Sequence, residues 1–267
     1  RGVSRRRLSE SVAHARYPIT GPKMFARVRS GSGDPVGDRY RPDRWAFSMT
    51  FRRYYTDSAR RGSATIDRID SDERGSYLVL DATLFHPQGG GQPADHGLIE
   101  GARVIHVSAT DGEILHYVDS TEDVAVGQMV SLAIDDSRRT LHERLHTAGH
   151  LIGSLVEYLF PQAEAIAGHH WPNESRVDFQ LLLDTLDVDS LTSILEPEIR
   201  RAISRGSGVY ACESSPALRM VVIEGYRPIP CGGTHVRTVA DIGVIVLRTV
   251  AAKRRRLRIG YDVDESD

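Results

Sequence analysis

The sequence changes its hydrophobic period at Asp135-Asp136-Ser137, and that break constrains the fold more than any other feature. Upstream, short apolar runs recur at close intervals. Residues 63–69 alternate, residues 77–84 are continuously apolar, and 97–99, 102–107, 114–118 and 130–134 follow between turn signals such as Asp111-Gly112. Such a series predicts a small barrel or sandwich. Downstream, Leu141, Leu145, Ala148, Leu151, Ile152, Leu155 and Leu159 share one helical face. The Asp-Asp-Ser stretch caps that helix and Pro161 ends it.

Beyond the helix, residues 176–183 read as a strand. A second helix runs from a cap at Asp189 or Ser190 to about Ser204, with Gly206 at its end. Strands over 209–212, 219–224, 242–249 and 256–261 complete an α+β pattern. The expected division is a flexible Arg-rich extension (residues 1–48), a small β-barrel domain (49–136) and a two-layer α+β domain (137–267).

Composition sets outer limits. With 267 residues, 40% hydrophobic and 26% charged, the chain can bury a core. No apolar run is long enough to cross a bilayer, so no membrane partner is expected. Cys212 and Cys231 are the only cysteines, which argues against a disulfide framework and for a reducing, cytoplasmic setting. Residues 1–45 carry eleven Lys/Arg against four Asp/Glu, so the rest of the chain is net acidic at an overall charge of −2. An acidic body argues against non-specific nucleic-acid binding, and no DNA partner is expected, but it leaves room for a local phosphate-reading stripe. Lys253-Arg254-Arg255-Arg256-Leu257-Arg258 is either such a stripe or a solvated strand.

His146-Thr147-Ala148-Gly149-His150 and Cys231-Gly232-Gly233-Thr234-His235 carry the chemistry. Two histidines four apart on a helix project from one face and can reach one ion. The Cys-x-x-x-His element sits on a glycine turn that can bring a thiolate and a third imidazole to them. One thiolate and three imidazoles suit zinc, one ion per chain. His142 lies a further turn away and reads as a surface residue or one just outside the metal shell. His169 and His170 read as ordinary polar loop residues, and Cys212 as a small buried one.

Gly89-Gly90-Gly91-Gln92-Pro93 ends a strand in a glycine turn whose amides can approach a ligand, with no Lys-Ser/Thr to make it a phosphate loop. Gln92 can both donate and accept hydrogen bonds there, and Thr83 offers a nearby hydroxyl.

These segments together resemble the alanyl-tRNA editing proteins, the AlaX group in its medium-length form, and the matching domain of alanyl-tRNA synthetase. The resemblance spans roughly residues 54–261. Residues 146–151 match the family's HTAxHL helix and 230–236 its PCGGTHV turn. Asp241-Ile242-Gly243 follows at the family's interval, with Asp where Glu is common. Residues 84–93 match the glycine motif, with His86 where Tyr is usual. Tyr54-Tyr55-Thr56-Asp57-Ser58 matches the family's opening and Arg176-Val177-Asp178-Phe179 its intervening strand.

The resemblance implies an enzyme that hydrolyses mischarged alanine tRNA in trans, seryl first and glycyl second. A synthetase pocket shaped for alanine cannot exclude glycine and rejects an added hydroxyl weakly, so a second hydrolytic site must supply the difference. The implied ligands are His146, His150 and Cys231, with an open position where water ionises near pH 7. His235 is either a fourth ligand or orients the water from outside the shell. Thr83 would contact the serine hydroxyl, and Gly90, Gly91 and Gln92 would hold substrate. The partner is the acceptor end of mischarged tRNA, and the protein is expected as a monomer or weak dimer. Two other readings remain: hydrolysis of seryl-tRNA of the threonine type, and a non-catalytic zinc-stabilised RNA-binding module.

Overall fold

A computed structural model describes residues 49–182, 187–215 and 218–264. The Arg-rich extension expected over residues 1–48 lies outside the described residues. The first strand, β1 (Phe51–Arg52), pairs with β4 (Ala82–Thr83). Six strands follow a closed path: β2 (Arg61–Asp72), β3 (Gly75–Leu80), β7 (Glu113–Val118), β6 (Ala102–Thr110), β5 (Gly97–Ile99) and β8 (Met129–Ile134), which pairs back onto β2. Ile66, Leu78, Leu80, Ile99, Val107 and Leu132 fill the interior. Alternation drives this: in β8, Val130, Leu132 and Ile134 point inward while Met129 and Ser131 face solvent. The joint between β5 and β8 requires glycine. Gly97 has φ +153°, and a Cβ there would lie 2.1 Å from the Ala133 carbonyl oxygen.

The chain then enters α1 (Asp136–Leu159). Asp135 caps it by accepting from the Arg138 amide, and Pro161 follows its end. Its apolar stripe, Leu145, Ala148, Leu151, Ile152, Leu155 and Val156, is buried. That stripe packs on a sheet ordered β14 (Val244–Lys253), β15 (Arg256–Asp264), β10 (Arg176–Leu181) and β9 (Ala163–His169). The second helix, α2 (Val188–Arg205), packs against α1 and β14. A small sheet of β11 (Val209–Ser215), β12 (Leu218–Ile223) and β13 (Ile229–Pro230) leads into Cys231. The class is α+β, mostly sheet with two α-helices among the described residues.

Two expectations move. The cap of α2 is Asp187 rather than Asp189 or Ser190, because its carboxylate reaches both of their amides and the Ser190 hydroxyl. Cys212 is exposed, because β11 is the edge of its sheet. The basic stripe spans the turn between β14 and β15, where Lys253, Arg254, Arg255 and Arg256 are exposed while Leu257 is buried.

Candidate metal centre and its cavity

One buried and one half-buried ion pair fix α1 against the barrel. Arg139 pairs with Asp95, both fully buried, and also donates to the Leu84 carbonyl oxygen. Arg60 reaches Glu143 at 2.7 Å. Removing one partner of the sealed Arg139–Asp95 pair strands a charge, so that contact above all holds the helix in register. They set His146 and His150 where the loop after β13 comes down.

There the two distant segments meet. Cys231 Sγ stands 3.5 Å from His146 Nε2 and 3.3 Å from His235 Nε2. The donor atoms of His146, His150, Cys231 and His235 all lie within 4.8 Å of one another. Ligands arranged tetrahedrally about zinc at ordinary bond lengths stand about 3.3–3.6 Å apart, so this set could hold such an ion. The ring centroids of His146 and His235 are 4.4 Å apart, and each lies 4.9 Å from that of His150.

Hydrogen bonds aim the lone pairs. Gln92 Oε1 lies 2.8 Å from His146 Nδ1 and accepts the Thr234 amide at 3.0 Å. Gln92 Nε2 donates to Thr234 Oγ1 at 2.9 Å. An oxygen that only accepts leaves the His146 proton on Nδ1 and its lone pair on Nε2, toward Cys231. His235 is set in the same way. Thr147 donates its hydroxyl proton to the Glu143 carbonyl oxygen and can only accept from His235 Nδ1, 3.1 Å away. Arg219 holds the loop by donating to the carbonyl oxygens of Cys231 and Gly233 at 2.8 and 2.9 Å. Gly233 is required by close approach, since a Cβ would lie 2.2 Å from the His146 ring.

Electrostatics favour neutral imidazoles. Burial, aided by His235, His170 and His150, pushes His146 well below the ordinary range, and burial does the same to His235. Burial and then Arg219 bring His150 to about 4. Burial raises the Cys231 thiol, while the Gly233 amide and Arg219 pull the other way. A bound cation would reverse that balance and favour the thiolate. Each imidazole of the cluster is therefore neutral and keeps one unprotonated nitrogen before any ion arrives.

A cavity of about 540 Å³ opens onto His146, His150 and Cys231, walled by Gly90, Gly91 and His170. A smaller one of about 270 Å³ is lined by His235 together with Tyr55 and Arg219. The larger meets three of the four donors and the glycine turn, so it is the candidate substrate site.

The expected residues divide. His146, His150, Cys231 and His235 converge, and Gly90 and Gly91 line the cavity. Gln92 is fully buried and reaches the cavity only through His146. Thr83 is not brought to the cavity. Its side chain is fully buried, and its hydroxyl is engaged by His116 Nε2 at 2.7 Å and the Phe85 amide at 3.0 Å. His142 is buried rather than on the surface, and both its ring nitrogens lack partners. His169 stacks on Trp171.

His170, expected as an ordinary loop residue, is instead part of the wall, 4% exposed and stacked on His146 with ring centroids 4.4 Å apart. The residues before it form β9, an edge strand exposed from Glu164 to Gly168. A strand without a buried face shows no alternation, which hid it. The one available signal was Gly168, a glycine beside two histidines at the end of a short Ala/Ile run.

Comparison with known proteins follows the same lines. The model for class II (A) tRNA synthetases matches residues 58–138. An alanyl-tRNA editing protein AlaX-M from Methanosarcina barkeri is 30% identical over 245 residues, covering 78% of this chain and 98% of its own length. Its counterpart from Saccharolobus solfataricus is 31% identical over 240 residues, covering 80% and 99%. An alanine–tRNA ligase from Haloquadratum walsbyi is 32% identical over 224 residues, covering 75% of this chain but 24% of the ligase.

Proposed function

From the premise that the chain belongs to the alanyl-tRNA editing proteins, we propose that it deacylates mischarged alanine tRNA in trans, seryl first and glycyl second. The observation that carries this reading is the convergence of Cys231 on the helix histidines at the floor of an open cavity. The ion we assign is zinc, held by His146, His150, Cys231 and His235, a donor set typical of that metal. His235 counts as a ligand because Thr147 turns its Nε2 toward Cys231. When bound, zinc would supply a Lewis acid that, by taking a fifth ligand beyond these four side chains, would polarise the ester carbonyl.

The chain's own residues do the rest. Gln92 and Thr147 keep the imidazoles in the tautomer that presents Nε2. Arg219 fixes the turn that carries Cys231. Gly90 and Gly91 let the terminal nucleotide approach the backbone without side chains in the way. The exposed Lys253, Arg254, Arg255 and Arg256 turn supplies phosphate contacts for the acceptor stem.

The test is incubation with seryl-tRNA of the alanine type, with and without a chelator, beside Cys231→Ala. Rapid release of serine that both treatments abolish is expected, with correctly charged alanyl-tRNA surviving much longer. No release by the untreated protein, or faster release from seryl-tRNA of the threonine type, overturns the reading.

A further inference from the structure

Three glycines from three elements make room for one imidazole that the proposed chemistry leaves unused. A Cβ at Gly149 of α1 would lie 2.4 Å from the His170 ring, one at Gly168 of β9 2.5 Å, and one at Gly91 of the glycine turn 3.1 Å. The His170 amide is tied to the Gly91 carbonyl oxygen at 2.9 Å. Its Nδ1 meets the Tyr261 hydroxyl at 2.7 Å.

That contact fixes the ring's tautomer. The Tyr261 hydroxyl donates its single proton to the Leu145 carbonyl oxygen at 2.9 Å. The tyrosine oxygen can then only accept from His170, so the imidazole proton sits on Nδ1 and the lone pair on Nε2. Nε2 lies against Gly168 in the cavity wall and has no protein partner among the described residues. The same ring is stacked on His146 and lies 6.3 Å from the His150 ring, within an amino acid's length of the donor cluster.

We propose that His170 Nε2 accepts a hydrogen bond from the side-chain hydroxyl of the mischarged amino acid and so sets a preference for serine. This rests on the deacylase reading above and names the residue that would give it specificity. An acceptor-only atom in a cavity wall calls for a donor. A seryl group offers one a few bonds from its ester carbon, whereas an alanyl methyl would bury Nε2 unsatisfied. Thr83 cannot take this part, since its hydroxyl is committed inside the barrel. The substrate ammonium is the rival donor, and glycyl and seryl substrates share it.

The experiment measures kcat/KM on seryl- and glycyl-tRNA of the alanine type for the full chain, His170→Ala, His170→Gln and Tyr261→Phe, with metal content and melting temperature. His170→Ala is expected to lower the serine-to-glycine ratio by about tenfold or more at wild-type metal content. His170→Gln restores part of the ratio, because it keeps an acceptor. Tyr261→Phe lowers the ratio by a smaller factor, because both tautomers become available. Equal losses on both substrates, or losses that follow metal content, make His170 a mere support for His146 and overturn the inference. If the wild type turns over neither substrate, the deacylase reading fails and this inference with it.

Discussion

His142 and His146 stand one turn apart on α1 and are each 1% exposed, yet only His146 joins the four-donor cluster. His146 has Gln92 on Nδ1 and Cys231 beside Nε2. His142 has no partner on either nitrogen. A third case, His116 in the barrel, is fully buried and satisfied, with the Leu78 carbonyl oxygen at 3.0 Å and Thr83 at 2.7 Å. Burial holds all three neutral, His116 and His142 at about 4 and His146 well below the ordinary imidazole range. Depth alone therefore makes no ligand. What separates His146 is a lone pair aimed by a fixed acceptor at other aimed lone pairs.

The largest test of this contrast removes the convergence point. Cys231→Ala should lose at least about a hundredfold in deacylation together with its metal, while His142→Ala keeps its metal. Metal content by atomic spectroscopy and serine release from seryl-tRNA are the measurements. Retained metal in Cys231→Ala would mean that the imidazoles suffice. A smaller effect is expected from the residue that aims rather than binds. Gln92→Ala should weaken metal affinity by about 10–100-fold, read by competition with a chelating dye. Unchanged affinity would show that packing alone orients His146.

The acid limb of stability sharpens the contrast from the other side. His116 is held low by burial, and His142 by burial and then Arg138, with Asp95 opposing. An unfolded imidazole takes up its proton near pH 6.5. Above that pH both states are neutral, and the contribution of each residue is fully present. As pH falls from about 6.5 toward 4, the unfolded chain binds protons that the folded chain refuses, so stability drops by up to roughly 3 kcal/mol per histidine. Denaturant midpoints across that range should fall, and His116→Asn should flatten the fall. A midpoint flat down to pH 4 would mean that water reaches these rings.

How much of this was legible follows from how local each cause is. The first helix was readable because its cap, its apolar stripe and Pro161 are all within a few residues of what they control. The four candidate donors were readable as a group because His-x-x-x-His and Cys-x-x-x-His are short spacings, and each pair says little alone. His170 was not, because Gly91, Gly149, Gly168 and Tyr261 meet around it only after folding. Thr83 misled for the opposite reason. Its position on the strand just before the glycine motif suggests a substrate contact, but a hydroxyl at a strand end turns to whichever partner is nearest, here His116. Cys212 and β9 share a third cause. Edge strands face solvent on more than one side, so residue type says little about burial there.

The smallest expected effect tests whether His142 is useful at all. An imidazole sealed from water with both nitrogens unpartnered carries a desolvation cost that leucine of similar size avoids. Arg138, Arg139, Asp95 and His96 supply the field around it, and none of them hydrogen-bonds it among the described residues. His142→Leu should therefore raise stability by about 1 kcal/mol, seen as a melting temperature higher by roughly 2–4 °C. Metal content and serine release should not move, because the residue touches neither the donor cluster nor the large cavity. The fall in stability below pH 6.5 should shrink by the share assigned to His142. A destabilised variant would mean that the ring has partners in solution, most simply a buried water, and the contrast with His146 would then become one of which partner rather than of none.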